Sequence, residues 1–195
     1  LLYPDDGLGP AAPDDVYDRL NQVAAGVAPG ANGVIYTPWL NGERTPVDDH
    51  YVRAGFHNLG LGTTRADLVR SVFEGVAYNT RWMQTYVERF AGNRFPSIRF
   101  VGGGAQSELW AQILADVLDR PIERVAQPRL ANVRGAAFAA FAALGLLAWS
   151  EVPKLVEVAG HHHPSPANRA VYDHSYAAFV SLYKRTKRTY AKLNK

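Results

Sequence analysis

The stretch with the clearest chemical potential is Ile98-Arg99-Phe100-Val101 followed by Gly102-Gly103-Gly104 and then Ala105-Gln106-Ser107-Glu108-Leu109-Trp110. A chain that turns on glycines into a helix gathers bare backbone N–H groups at the positive end of that helix, where phosphates and nucleotides are held without a charged side chain. A tight strand-to-helix turn needs glycines for the same backbone reason, so the triplet alone leaves both readings open. Gly102, Gly104 and Ser107 also keep the spacing of a dinucleotide fingerprint with its third glycine replaced. Glu123 follows near where such folds place a ribose-binding acid. The lysine of a P-loop is absent.

Other chemical residues carry weaker signals. His161-His162-His163 cannot all converge on one ion without unusual backbone, and Pro164 follows at once, so a solvated loop is expected. His50 and His57 have no carboxylate at a diagnostic spacing. Glu43-Arg44 is compatible with a local ion pair or with a cleft. Trp39, Trp82, Trp110 and Trp149 could stack on a base, but burial is the expectation for each. No catalytic and no metal-ligating residue is assigned.

The elements that must position these residues follow from patterning. Residues 1–13 are rich in Pro, Gly and Asp and read as a linker or loop; residues 14–195 read as one domain. Asp14 or Asp15 can cap a helix with Val16, Leu20, Val23 and Val27 on its apolar side. Pro29-Gly30-Ala31-Asn32-Gly33 is a turn that releases a strand over Val34–Leu40, and a second strand is expected near Arg53–Leu59. Thr64-Arg65-Ala66-Asp67 has capping-box spacing ahead of a long amphipathic helix that Gly92-Asn93 ends. Ser107 is a natural N-cap for the helix after the glycines. A strand at Ile122–Val125 leads to a helix of small residues, Asn132 to Gly145, whose composition predicts very close packing. Glu151 to Val158 reads as a shorter helix. Tyr172, Tyr176, Phe179 and Tyr183 recur at near-helical spacing and predict a last helix docked on the core. The alternation implies an α/β domain with a mixed sheet flanked by helices, the pair near 34–40 and 53–59 forming its antiparallel part.

Composition sets outer bounds. Of 195 residues, 47% are hydrophobic and none is cysteine, which excludes disulfides and thiolate chemistry and fits a cytoplasmic location. The net charge of +3 belongs to a tail, Lys184, Arg185, Lys187, Arg188, Lys192 and Lys195; without those six the 21 basic residues no longer outnumber the 18 acidic ones. A nucleic-acid-binding face is therefore not expected, and no apolar run is long enough for a membrane span. The chain opens on Leu1, as a piece of something longer would.

Several separated segments, in order, resemble the FGGY family of carbohydrate kinases, C-terminal domain, and the xylulokinase-like members above all. They are Gly33-Val34-Ile35-Tyr36-Thr37-Pro38-Trp39-Leu40-Asn41-Gly42-Glu43-Arg44-Thr45-Pro46; Asp67-Leu68 with Ser71-Val72-Phe73-Glu74 and the preceding Leu59; Gly102 through Asp116; and Arg134-Gly135-Ala136-Ala137. Asn58 stands where the family usually has glycine, a substitution that a left-handed backbone tolerates. Leu130 stands where many relatives have an acid. The resemblance implies a ribonuclease H-like (actin-like ATPase) fold and a C-terminal nucleotide-binding half of an ATP-dependent sugar kinase acting on a pentulose such as xylulose. Gly102, Gly103, Gly104, Ala105 and Ser107 would lie against the nucleotide, with ATP and Mg2+ as the cofactors of the complete enzyme. It also implies that the sugar and the base aspartate belong to an N-terminal domain outside this chain, that the fragment alone is inactive, and that a homodimer is the candidate assembly. A dinucleotide-binding oxidoreductase domain and a non-catalytic interaction module are the alternatives.

Overall fold

The computed structural model describes residues 15–195, so the linker expected at 1–13 lies outside the described residues. In chain order the elements are α1 (Val16–Ala25), β1 (Ile35–Thr37), β2 (Gly55–His57), α2 (Arg65–Ala91), β3 (Ile98–Phe100), α3 (Glu108–Leu118), β4 (Ile122–Val125), α4 (Ala131–Ala143), the single turn α5 (Val152–Leu155), β5 (Val158–His162) and α6 (Arg169–Asn194). The α/β class and the mixed sheet are as expected. Two compact units divide the chain: one holds the residues up to 93 together with 166–195, the other residues 94–165.

The first unit is organised by α2. Thr64 Oγ1 accepts from the Asp67 amide while the Asp67 carboxylate accepts from the Thr64 amide, the reciprocal pair that the spacing predicts. Gly92, at φ 70°, ends the helix. β1 packs on α2 where Gly75 presents no side chain: a Cβ there would collide with the Tyr36 carbonyl oxygen. β1 pairs antiparallel with β2, Tyr36 opposite Phe56, and Pro38 stops it three residues in because proline cannot donate to the ladder. Tyr172, Phe179 and Tyr183 of α6 are buried as the stripe predicts, and Phe179 lies 5.3 Å from Trp39 and 5.8 Å from Tyr78 between ring centroids. Beneath them Glu74 is fully buried. Its carboxylate accepts from Arg70 Nε (2.7 Å), the Gly30 amide (3.0 Å) and the Tyr172 hydroxyl (3.1 Å). Burial raises the Glu74 pKa, and Arg70 and the Gly30 amide pull it back only in part. Asn58 adopts φ 63°, the left-handed turn expected of it.

The second unit carries the mixed sheet, in the order β3-β4-β5. β3 and β4 are parallel, with Ile98 opposite Ile122; β4 and β5 are antiparallel, with Ile122 opposite His162 and Arg124 opposite Gly160. Several expectations are corrected here. The antiparallel pair β1-β2 forms a sheet of its own, and the antiparallel member of the mixed sheet is β5. His161 and His162 are therefore strand residues rather than a loop, because the free edge of β4 satisfies their backbone whatever their local preference. Helix α4 is not closely packed: none of its residues is buried, Val133 is 69% exposed, and a Cβ at Gly135 would meet nothing within 4 Å. Trp149 is likewise 64% exposed. At the start of the first unit Asp15 occupies the cap position of α1, but its carboxylate takes Arg19 Nε (2.8 Å) instead of capping.

Candidate nucleotide site

The glycine segment leaves β3 and enters α3, and its three glycines have three different reasons. Gly102 sits at φ 85°, ψ −174°, a backbone conformation essentially restricted to glycine. Gly104 is closed in: a Cβ there would stand 2.9 Å from Trp110 Cζ3 and 3.1 Å from Phe100 Cζ, two rings packed edge to face. Gly103 faces open space, with nothing within 4 Å of an added Cβ. Packing explains one glycine, backbone geometry another, and neither explains the middle one.

Residues Gly103–Gln106 form a short 3-10 turn. The Gly102 amide donates to the Pro128 carbonyl (2.9 Å), the Ala105 amide to Gly102 O (3.2 Å) and the Ser107 amide to Gly104 O (3.1 Å). The leading N–H groups of a helical turn have no partner inside it, which leaves those of Gly103 and Gly104 as the donors the turn can offer outward. Ala105 and Ser107 are buried and serve as anchors. Ser107 caps α3 as expected, its Oγ accepting from the Trp110 amide at 2.9 Å. Of the five residues singled out in sequence, Gly102, Ala105 and Ser107 thus shape the segment, Gly103 is exposed, and Gly104 is half-buried against Trp110 and Phe100.

Sequence reasoning overlooked the support behind this segment. Arg124, in the middle of β4, donates from Nη1 to the Ala105 carbonyl (3.4 Å), from Nη2 to Glu108 Oε1 (2.7 Å) and from Nε to His162 Nε2 (3.2 Å). An arginine inside a four-residue strand was the available signal. His162 needs the β4–β5 pairing, which no local pattern announces. Burial, and then Arg124, push the His162 pKa below the ordinary imidazole value.

The remaining chemical residues resolve into structure. Glu123, the acid at fingerprint spacing, lies 3.4 Å from Arg99 on the neighbouring strand. Glu43 accepts from the amides of Arg44 and Thr45 and from Asn79 Nδ2, shaping its own loop. His57 shares a 3.3 Å contact with Thr37 Oγ1 and is pushed down by burial. A cavity of about 310 Å³ lies at the start of α2, but its polar groups serve one another: Asn32 donates to Asp67, Asn58 to Gly33 O and the Gly60 amide to Thr63 Oγ1. Among the described residues no group of three His, Cys, Asp or Glu side chains is gathered as for a metal ion. No helix among them is long and apolar enough to cross a membrane.

Comparison with known proteins gives one answer at every level. The profile of the FGGY family of carbohydrate kinases, C-terminal domain, matches residues 9–144. The xylulose kinase of Staphylococcus epidermidis (strain ATCC 35984) is 33% identical over 185 residues, 92% of this chain and 36% of that protein. The gluconokinase of Bacillus subtilis is 32% identical over 108 residues, 55% of this chain and 21% of its own length. The crystal structure of xylulose kinase from Rhodospirillum rubrum superposes with a TM-score of 0.78 at 33% identity, covering 94% of this chain and 37% of that one. The fold is thus the α/β, actin-like ATPase fold of the sugar kinases. The chain spans about a third of the length of these full-length relatives.

Proposed function

The chain belongs to the FGGY family of carbohydrate kinases, and from that premise we propose that it is the nucleotide-binding, C-terminal part of an ATP-dependent kinase for a pentulose such as xylulose. The observation that carries the reading is Gly103: a glycine with neither a packing nor a positive-φ requirement, at the open face of a turn that leads into a capped helix. Backbone amides so placed suit phosphate oxygens. In the complete protein a sugar hydroxyl attacks the γ-phosphorus of ATP, the bond to the β-phosphate oxygen breaks, and ADP leaves. The hydroxyl proton passes to an aspartate outside this chain. Such transfer depends on positioning and on neutralising phosphate charge, and Mg2+ on the phosphates supplies part of that neutralisation. The share of this chain is to hold one side of the nucleotide. ATP use and the lack of cysteine support a cytoplasmic setting. Xylulose is preferred to gluconate because, at equal coverage of 92% of this chain, the xylulose kinase of Staphylococcus epidermidis is 33% identical and the gluconokinase of Bacillus licheniformis 26%.

The test is ADP release by the full-length protein, with D-xylulose and D-gluconate offered separately. Release dependent on xylulose supports the assignment. Release dependent on gluconate alone moves the substrate and keeps the class. Robust sugar-dependent turnover by the 195-residue chain itself would refute the division of labour.

A further inference from the structure

We infer that Arg124, laid across Gly160 and held by the imidazole of His162, is a positioning residue for the glycine segment, and that nucleotide binding weakens when His162 takes a proton. The inference rests on the proposed nucleotide contact at Gly103 and Gly104.

The register of β4 and β5 builds the arrangement. Arg124 is opposite Gly160 and Ile122 is opposite His162, so Arg124 and His162 share one face of the sheet, diagonal to each other. Gly160 is the floor: a Cβ there would stand 3.2 Å from Arg124 Nη2, tighter than side chains ordinarily pack, and 3.4 Å from Nε. The guanidinium thus lies flat over bare backbone, and its fork reaches three acceptors: the Ala105 carbonyl, Glu108 and His162. Glu108 is largely exposed, so its ion pair adds little stability; what it adds is direction. Ala105 is the buried anchor of the glycine segment, and Glu108 opens α3 directly after Ser107.

Arginine can only donate. His162 Nε2 must therefore offer a lone pair, which fixes the ring as neutral with its proton on Nδ1. A second proton removes that acceptor and sets two cations about 3 Å apart. The charged and titratable groups around the ring are Arg124 on β4, Glu108 on α3, and His161 and His163 beside it in sequence. Only Glu108 favours the proton, and its carboxylate is already engaged by Arg124. Protonation thus turns Arg124 away from His162 and from the Ala105 carbonyl, and the segment loses its brace.

Isothermal titration with Mg·ADP at about pH 7.5 and about pH 5.5, either side of the ordinary imidazole value, reads this directly. The wild-type chain should lose more affinity on acidification than His162→Gln, whose amide oxygen accepts from Arg124 without titrating; because the His162 pKa lies below the ordinary value, the excess loss at about pH 5.5 should be less than about tenfold and should grow as the pH is lowered further. Comparison at equal pH cancels the nucleotide's own protonation. Arg124→Met should bind weakly at both pH values, and Gly160→Ala, which crowds Arg124 Nη2 by a few tenths of an ångström, should weaken binding less. Equal pH profiles for wild type and His162→Gln, or unimpaired binding by Arg124→Met, would overturn the inference. Should the wild type bind no ADP at either pH, the nucleotide reading fails and the brace is judged by hydrogen exchange. Protection of the Gly103–Glu108 amides should then fall on acidification in the wild type and not in His162→Gln, and equal behaviour in the two would overturn the brace.

Discussion

Gly103 and Gly104 are adjacent, yet adding one methyl group to each should have opposite consequences. At Gly104 the methyl would stand 2.9 Å from Trp110 Cζ3 and 3.1 Å from Phe100 Cζ, so the rings must shift. Overpacking of this kind costs about 1–3 kcal/mol. At Gly103 the methyl meets nothing within 4 Å and the backbone needs no positive φ, so stability should stay within about 0.5 kcal/mol. In the proposed site it would, however, stand beside the two amides offered to the phosphate. Hydrogen bonds to a charged group contribute about 1.5–3 kcal/mol each, so losing one lowers affinity by a factor of about ten or more. Urea denaturation and Mg·ADP titration of Gly103→Ala, Gly104→Ala and the wild type measure both effects. Gly103→Ala should bind poorly while remaining as stable as the wild type; Gly104→Ala should be the less stable of the two. If Gly103→Ala binds nucleotide as the wild type does, the open face of the turn is not the contact and the reasoning fails.

Glu74→Gln removes the charge that neutralises buried Arg70 and should cost about 3 kcal/mol in urea denaturation. Arg70→Met/Glu74→Leu should recover only part of that loss, because the buried Gly30 amide and Tyr172 hydroxyl lose their acceptor. Asp67, lowered chiefly by the Thr64 amide that it accepts, contributes stability above the unfolded carboxylate value that disappears as pH falls through the lower folded one. Asp67→Asn should therefore cost about 1–2 kcal/mol at neutral pH, and the difference from wild type should shrink below about pH 4. Gly75→Ala should be less stable by about 2 kcal/mol despite a helix-propensity gain of about 1 kcal/mol, because the Tyr36 carbonyl occupies the space; equal thermal melts would contradict this.

The parts of the fold legible in the sequence are those set by neighbours in the chain. The Thr64–Asp67 capping box, the Ser107 cap and the Gly92 stop all depend on backbone groups a few residues away, and each stands where local rules put it. The parts that were not legible depend on partners far off in sequence. His161 and His162 become a strand only because β4 offers an edge some 38 residues earlier. The small residues of α4 carry a packing signal that nothing among the described residues fulfils. At the site, composition picked out the glycines but could not divide them. Only the positions of Trp110 and Phe100 separate the packing glycine from the open one, and only strand register reveals Arg124 behind them.

The central claim is that nucleotide meets the backbone of the glycine segment. Amide chemical-shift mapping of the 195-residue chain titrated with Mg·ADP tests it residue by residue. The account predicts the largest shifts at Gly103 and Gly104, with smaller ones at Ala105 and the first turn of α3. Saturable shifts elsewhere in the chain, with the Gly103 and Gly104 amides unmoved, would contradict it.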